Sequence, residues 1–190
     1  PVKIKMPDIA DPIWSVRDFG PGLTYEDIET IFTKYGKSTK RHSNELTGFL
    51  GIGSKAPLAY CDQFLVVSYV NGTMSVYVIA INNENDAILH MTDEKPTDEP
   101  NGICIKIPIE NDDIHEFKKN TVSYLRYIQL SDAPYEILND DYTETPLIKN
   151  YHGDNWYMAS CKQKHKYMKE IDTGYAKIIM GHVPYELDSA

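Results

Sequence analysis

Two glycine-punctuated segments hold the residues of this chain best suited to chemistry. Asp18-Phe19-Gly20-Pro21-Gly22 follows a strand-like run, and Gly48-Phe49-Leu50-Gly51-Ile52-Gly53-Ser54-Lys55 leads into a helix-like one. A carboxylate at a strand end accepts a hydrogen bond from an exocyclic amine, and neighbouring glycines let a ligand approach the backbone. Bare N–H groups ahead of a helix favour phosphate, because the positive end of the helix dipole lies there. Each motif alone is weak, since Asp-x-Gly is a common turn and many glycines only serve tight turns. Their order along the chain makes them the two walls of one nucleotide pocket, the first for a base and the second for phosphates.

Other arrangements carry less. Gly36-Lys37-Ser38 has the ending of a P-loop but lacks the glycine that should precede it in the Phe32-Thr33 region. Cys161 and His165 are spaced like metal ligands, yet two ligands without two more make a poor metal site, and no metal-binding residues are assigned. Ser54 beside Lys55 has no legible His–carboxylate partnership, so it reads as a helix-capping serine, and catalytic residues stay unassigned. The run Lys162-Gln163-Lys164-His165-Lys166 reads as a solvated face.

The elements that must position the two segments are legible nearby. Val2–Met6 alternates like a half-buried strand, and Ile13–Asp18 reads as a second, antiparallel one. Thr24 is a good N-cap with Asp27 in the first turn, which predicts a helix from Tyr25 to about Phe32. Residues 33–47 are polar, basic and non-periodic, a candidate lid. A short helix is expected over Ser54–Tyr60, with Pro57 in its first turn.

Phe64–Val70 and Met74–Ile81, joined through Asn71-Gly72, form the clearest hairpin. A strand is expected over Asp86–Thr92, an exposed turn-rich loop over Asp93–Asn101, a strand over Gly102–Pro108 and a helix from Asp113 to about Tyr127. Beyond Leu138 the composition turns polar through Asn155, which places a domain boundary near residue 140. Three short strands are expected after it, over Trp156–Cys161, Tyr175–Met180 and His182–Leu187.

Bulk properties set the limits. The 190 residues suffice for one sizeable domain and the start of another. A formal net charge of −9 argues against a broad electrostatic grip on nucleic acid, so any positive charge must be local, at Lys34, Lys37, Lys40, Arg41 and Lys55. Three cysteines without a CxxC pair point to a reduced, intracellular protein. The apolar runs are of strand length, which predicts no membrane span. The chain opens directly on a strand-like run, as if inside a domain.

The order of strand, Asp18-Phe19-Gly20-Pro21-Gly22, helix, basic lid, Gly48-Phe49-Leu50-Gly51-Ile52-Gly53, helix and hairpin resembles the Bergerat-fold ATPases, the superfamily of gyrase, Hsp90, histidine kinases and MutL. The wording of Val16–Leu23 and Gly51–Asp62 more specifically resembles the phage rIIA lysis-inhibition family. The resemblance extends over most of the chain but is highly specific only across residues 14–62.

It implies an α+β fold, a two-layer sandwich of a mixed, mainly antiparallel sheet with helices on one face. Residues 1–138 would form the ATP-binding domain, and residues 139–190 a linker and the start of a transducer-like domain. It further implies ATP and Mg2+ as cofactors. Asp18 would read adenine, and Gly20 and Gly22 would line base and sugar. Gly48, Gly51 and Gly53 would wrap the phosphates with Lys55 nearby, and Ser38 and Lys40 in the lid would reach the terminal phosphate.

A homodimer or partner protein, ATP-driven lid closure, and a role in host lysis or defence with peripheral association at the inner membrane are implied in the same way. Two departures stand against hydrolysis. The superfamily's helix bearing a catalytic Glu and a magnesium-holding Asn should precede the first strand, and the later glycine is followed by Ile103 rather than Thr. The competing expectation is therefore a non-catalytic interaction module with a degenerate nucleotide pocket. Losing that helix should leave an apolar sheet face uncovered.

Overall fold

A computed structural model describes residues 2–33, 53–128 and 134–140, and the backbone of four further strands within 148–186. The centre is a seven-stranded sheet built from β1 (Val2–Lys5), β2 (Ile13–Arg17), β3 (Gln63–Val70), β4 (Thr73–Ile81), β5 (Ala87–Pro96), β6 (Gly102–Pro108) and β7 (Tyr135–Ile137). Their spatial order is β5-β4-β3-β6-β2-β1-β7. Every neighbouring pair is antiparallel except β1 and β7, which run parallel. The mixed, mainly antiparallel α+β architecture expected from the sequence is the one observed, and the sheet does not close.

Local chemistry explains most of these elements. Asn71 and Gly72 both have positive φ, 50° and 79°, the two-residue turn whose twist matches its flanking strands. Helix α1 (Tyr25–Thr33) starts at a reciprocal cap. The Thr24 N–H donates to Asp27 Oδ2 at 3.1 Å, and the Asp27 N–H donates to Thr24 Oγ1 at 3.3 Å. Ile28 and Phe32, one turn apart, are buried against Phe64, Val66, Tyr77 and Ile79 of the sheet. Helix α2 (Ile114–Ile128) follows a single 3-10 turn, Asn111–Asp113, and sets Phe117 against the same core.

The strand register fixes which side chains share a face. Val16 pairs with Ile105, Ile105 with Val66, and Val66 with Tyr77. This apolar row belongs to the core side, while Arg17, Cys104, Val67 and Val76 form the neighbouring row on the other side. Trp14 belongs to the core side, and its Nε1 donates to Thr121 Oγ1 of α2 at 2.9 Å.

One expectation needs correction, and others gain detail. Residues 93–96 are not loop: β5 continues to Pro96, pairing with β4 through a register shift beside Val76 and Tyr77. Its outer edge tolerates the polar run Asp93-Glu94-Lys95 and a terminal proline that a central strand would not. The short helix expected after Gly53 is present as a 3-10 helix, Gly53–Ala59, with Pro57 inside it. Within the polar stretch beyond residue 140, β8 (Ile148–His152) pairs antiparallel with β9 (Tyr157–Ser160). The last two expected strands form a hairpin, β10 (Lys177–Met180) and β11 (Val183–Glu186).

Candidate functional site

Strand β2 delivers Asp18 to the end of the sheet, beside the start of β6. The Asp18 N–H donates to the Ile103 carbonyl at 2.9 Å, which prolongs the β2–β6 pairing by one step. Its side chain is fastened too: Oδ1 accepts from the N–H of Gly20 at 3.1 Å and of Ile103 at 3.0 Å. Asp18 is nonetheless exposed, and Oδ2 has no protein partner among the described residues. One oxygen therefore shapes the turn while the other is available to a ligand donor.

The glycines around it differ in what they are for. Gly22, at φ +80°, lies so close to β3 that a Cβ would stand 2.4 Å from the Tyr69 carbonyl oxygen. Gly102, at φ +149°, would put a Cβ 2.2 Å from the Asp18 carbonyl oxygen. Both permit a close backbone approach. At Gly20 an added Cβ would meet only Asp18 Oδ1, at 3.5 Å, so that position is bare without being crowded. The sequence reading missed Gly102 as a builder of the site, because its crowding comes from Asp18 across the sheet.

Behind Asp18, Arg17 braces the same loop from the opposite face of the sheet. Its guanidinium lies 3.9 Å from the Tyr69 ring centroid and 4.9 Å from that of Phe19. It pairs with Glu99 at 3.1 Å and donates to the Pro100 carbonyl at 3.0 Å, which ties the β5–β6 loop to the Asp18 segment. Burial pushes the Tyr69 phenol up, partly offset by the Arg17 charge.

On the far side of α1, Ser54 Oγ and Lys55 Nζ both donate to the Ile31 carbonyl, at 3.0 and 2.6 Å. Lys55 is buried, at 5% exposure, and desolvation lowers its pKa. A cation on the last-turn carbonyls of a helix also complements the dipole, so this bond stitches the segment after Gly53 to the end of α1. Tyr60 closes the turn: its hydroxyl donates to Asp113 Oδ2 at 2.7 Å and accepts from the Glu110 N–H at 3.1 Å.

The structure thus brings Asp18, Gly20 and Gly22 together, adds Gly102, and places Gly53 at the start of the 3-10 turn with Lys55 against α1. Ser38, Lys40, Gly48 and Gly51 lie outside the described residues, as does most of the expected lid. Among the described residues no group of three or more His, Cys, Asp or Glu is placed to hold a metal ion. The Asp18 turn does fit an amino-bearing base, through the uncommitted Oδ2 and the bare backbone at Gly20.

An apolar groove of about 420 Å3 lies between β1, β2 and α2, lined by Val2, Ile4, Trp14, Val16, Phe117 and Tyr124. No helix among the described residues is long and apolar enough to cross a membrane.

Comparison with curated proteins gives no match. A family model described as histidine kinase-, DNA gyrase B- and HSP90-like ATPase matches residues 1–121, from β1 through the first half of α2 and across both glycine segments. With that span covering well over half of the chain, and with the Asp18 turn built at the end of its sheet, this chain belongs to the histidine kinase-, DNA gyrase B- and HSP90-like ATPase family.

Proposed function

We propose that this chain binds ATP in a pocket whose base side is the Asp18 turn. The observation that carries the reading is the division of the Asp18 carboxylate, with Oδ1 held by two backbone N–H groups and Oδ2 left for the exocyclic amine of adenine. Gly20 and Gly22 line the base and sugar. Gly48, Gly51 and Gly53 wrap the phosphates, while Lys55 anchors the exit of that segment on α1. Ser38 and Lys40 reach the terminal phosphate when residues 33–47 close over the ligand.

Magnesium accompanies the nucleotide by family resemblance, and when bound it would neutralise phosphate charge. Nucleotide-driven closure then changes a homodimer or partner contact. In the rIIA-like reading, that change serves modulation of host lysis or defence at the inner membrane. The second reading, an interaction module that keeps a nucleotide pocket without turnover, draws on the apolar groove beside α2.

Titration of the full chain with a non-hydrolysable ATP analogue, with and without magnesium, tests the proposal. The expected result is saturable binding that Asp18→Asn weakens. Absence of saturable binding under both conditions removes the ATP reading and leaves the interaction module.

A further inference from the structure

We infer a second ligand site on this chain, a pocket for a guanidinium or ammonium group carried on an apolar stem, between the start of α1 and strands β4 and β5. The cavity measures about 400 Å3, and its lining includes Tyr25, Tyr77, Met91, Thr73, Ser75 and Glu94, with no basic residue.

The register explains how the pocket arises. Ser68 pairs with Ser75, and Ser75 with Glu94, so a polar row crosses β3, β4 and β5 on the side that elsewhere carries Phe64, Val66, Tyr77 and Ile79. Ser68 is used by the fold. Its hydroxyl donates to the Leu23 carbonyl at 2.6 Å and accepts from the Leu23 N–H at 3.1 Å. Ser75 is buried and donates to Glu94 Oε2 at 3.1 Å, which fixes the carboxylate on the cavity side of β5. Among the described residues Glu94 forms no ion pair, although its neighbours Asp93 and Lys95 pair with each other at 3.7 Å.

An oriented carboxylate with no cation on it among the described residues, beside two tyrosine rings, is the arrangement that recognises a cation. The Tyr25 and Tyr77 centroids lie 6.1 Å apart with their planes tilted by 53°, and Met91 adds a polarizable wall for a methylene stem. Glu94 accepts hydrogen bonds from the charged head, in two-pronged fashion for a guanidinium. The first-turn carboxylates of α1, Glu26 and Asp27, offset the positive end of the helix dipole that would otherwise oppose a cation there. The edge of β5 that pairs with no other strand among the described residues gives the ligand its way in.

The chemistry fits two sources, a basic side chain of a partner protein or a free alkyl amine. Two-dimensional NMR of the full chain, titrated with agmatine and separately with the capped tripeptide Ac-Thr-Arg-Thr-NH2, distinguishes them. Saturable shifts of the Met91 methyl and the Ser75 amide are expected, with the peptide tighter if a partner side chain is the ligand and agmatine tighter if a free amine is. The citrulline analogue of the peptide, uncharged at the head, should bind about tenfold more weakly, as should the arginine peptide to Glu94→Gln.

Equal binding of the citrulline peptide, or absence of saturable shifts at Met91 and Ser75 in the wild-type chain, overturns the inference. The citrulline comparison needs no variant, so it decides even if Glu94→Gln folds poorly. Binding of the ATP analogue should be the same in Glu94→Gln as in wild type, which separates this site from the Asp18 pocket.

Discussion

Oδ1 of Asp18 is committed to the N–H groups of Gly20 and Ile103, which leaves Oδ2 as the oxygen available to a ligand. Asp18→Asn therefore separates two roles. The amide carbonyl still accepts both backbone bonds, while the amide nitrogen presents a donor to the donor amine of adenine. The variant should melt close to wild type and bind the ATP analogue roughly 10- to 100-fold more weakly, the scale of one lost hydrogen bond to a charged group, as measured by calorimetric titration. The three glycines should separate in the same way. Gly102→Ala and Gly22→Ala each force a Cβ into a backbone carbonyl at positive φ and should cost roughly 2–4 kcal/mol in chemical denaturation. Gly20→Ala has room on the protein side, so its effect should fall on nucleotide affinity rather than on stability. A Gly20→Ala chain that unfolds as easily as Gly102→Ala would contradict this division.

Helix α1 runs from beside the Asp18 turn toward the Ile31 carbonyl that Ser54 and Lys55 bind, and its N-terminus is set by a cap that the sequence announces. Thr24→Ala removes the one hydroxyl that both accepts from the Asp27 N–H and donates to the Asp27 carboxylate, at a cost of about 1 kcal/mol in denaturant unfolding. Elements of this kind were legible because their signals are local: the Thr24–Asp27 box, the Asn71-Gly72 turn, and the helical spacing of Ile114, Phe117, Val122 and Leu125. The extension of β5 through Asp93-Glu94-Lys95 was not, since its composition is that of a turn and only pairing with Thr73–Val76 makes it a strand. Asp18, Gly20 and Gly22 were legible as a candidate turn, but the packing of Gly102 against it was not, because the atom that crowds Gly102 belongs to a residue far away in sequence. The Ser75–Glu94 pair was hidden for the same reason, as it exists only across a register.

At the scale of the whole molecule, burial among the described residues gives the response to alkali its direction. It raises the thiols of Cys61 and Cys104 and, with help from nearby acidic groups, the Tyr60 phenol. The folded chain then holds protons that the unfolded chain releases, so stability falls as pH rises past the ordinary thiol range, from about pH 8.5. Lys55 works in the opposite sense, since its lowered pKa makes folding easier as it loses its proton, but among the described residues it is set against several raised acids. Thermal melts between pH 7 and pH 10 should show a decline above pH 8.5, and Cys104→Ala should flatten it. A melting temperature flat across that range would contradict the assignment.

The parallel seam between β1 and β7 has a mechanical consequence. β7 leaves the sheet at the end away from Asp18, and there Asn139 is clasped to Met6 by two bonds of 2.9 Å, one accepted and one donated. Lys118 of α2 holds the neighbouring Asp140 at 3.3 Å. A pull along the strand axis on the chain beyond residue 140 loads these bonds and the three β1–β7 pairings in shear, so they share the tension instead of unzipping one after another. Rotation of the downstream segment out of the sheet plane would load Asn139 first. The seam is therefore stiff to traction and compliant to torque.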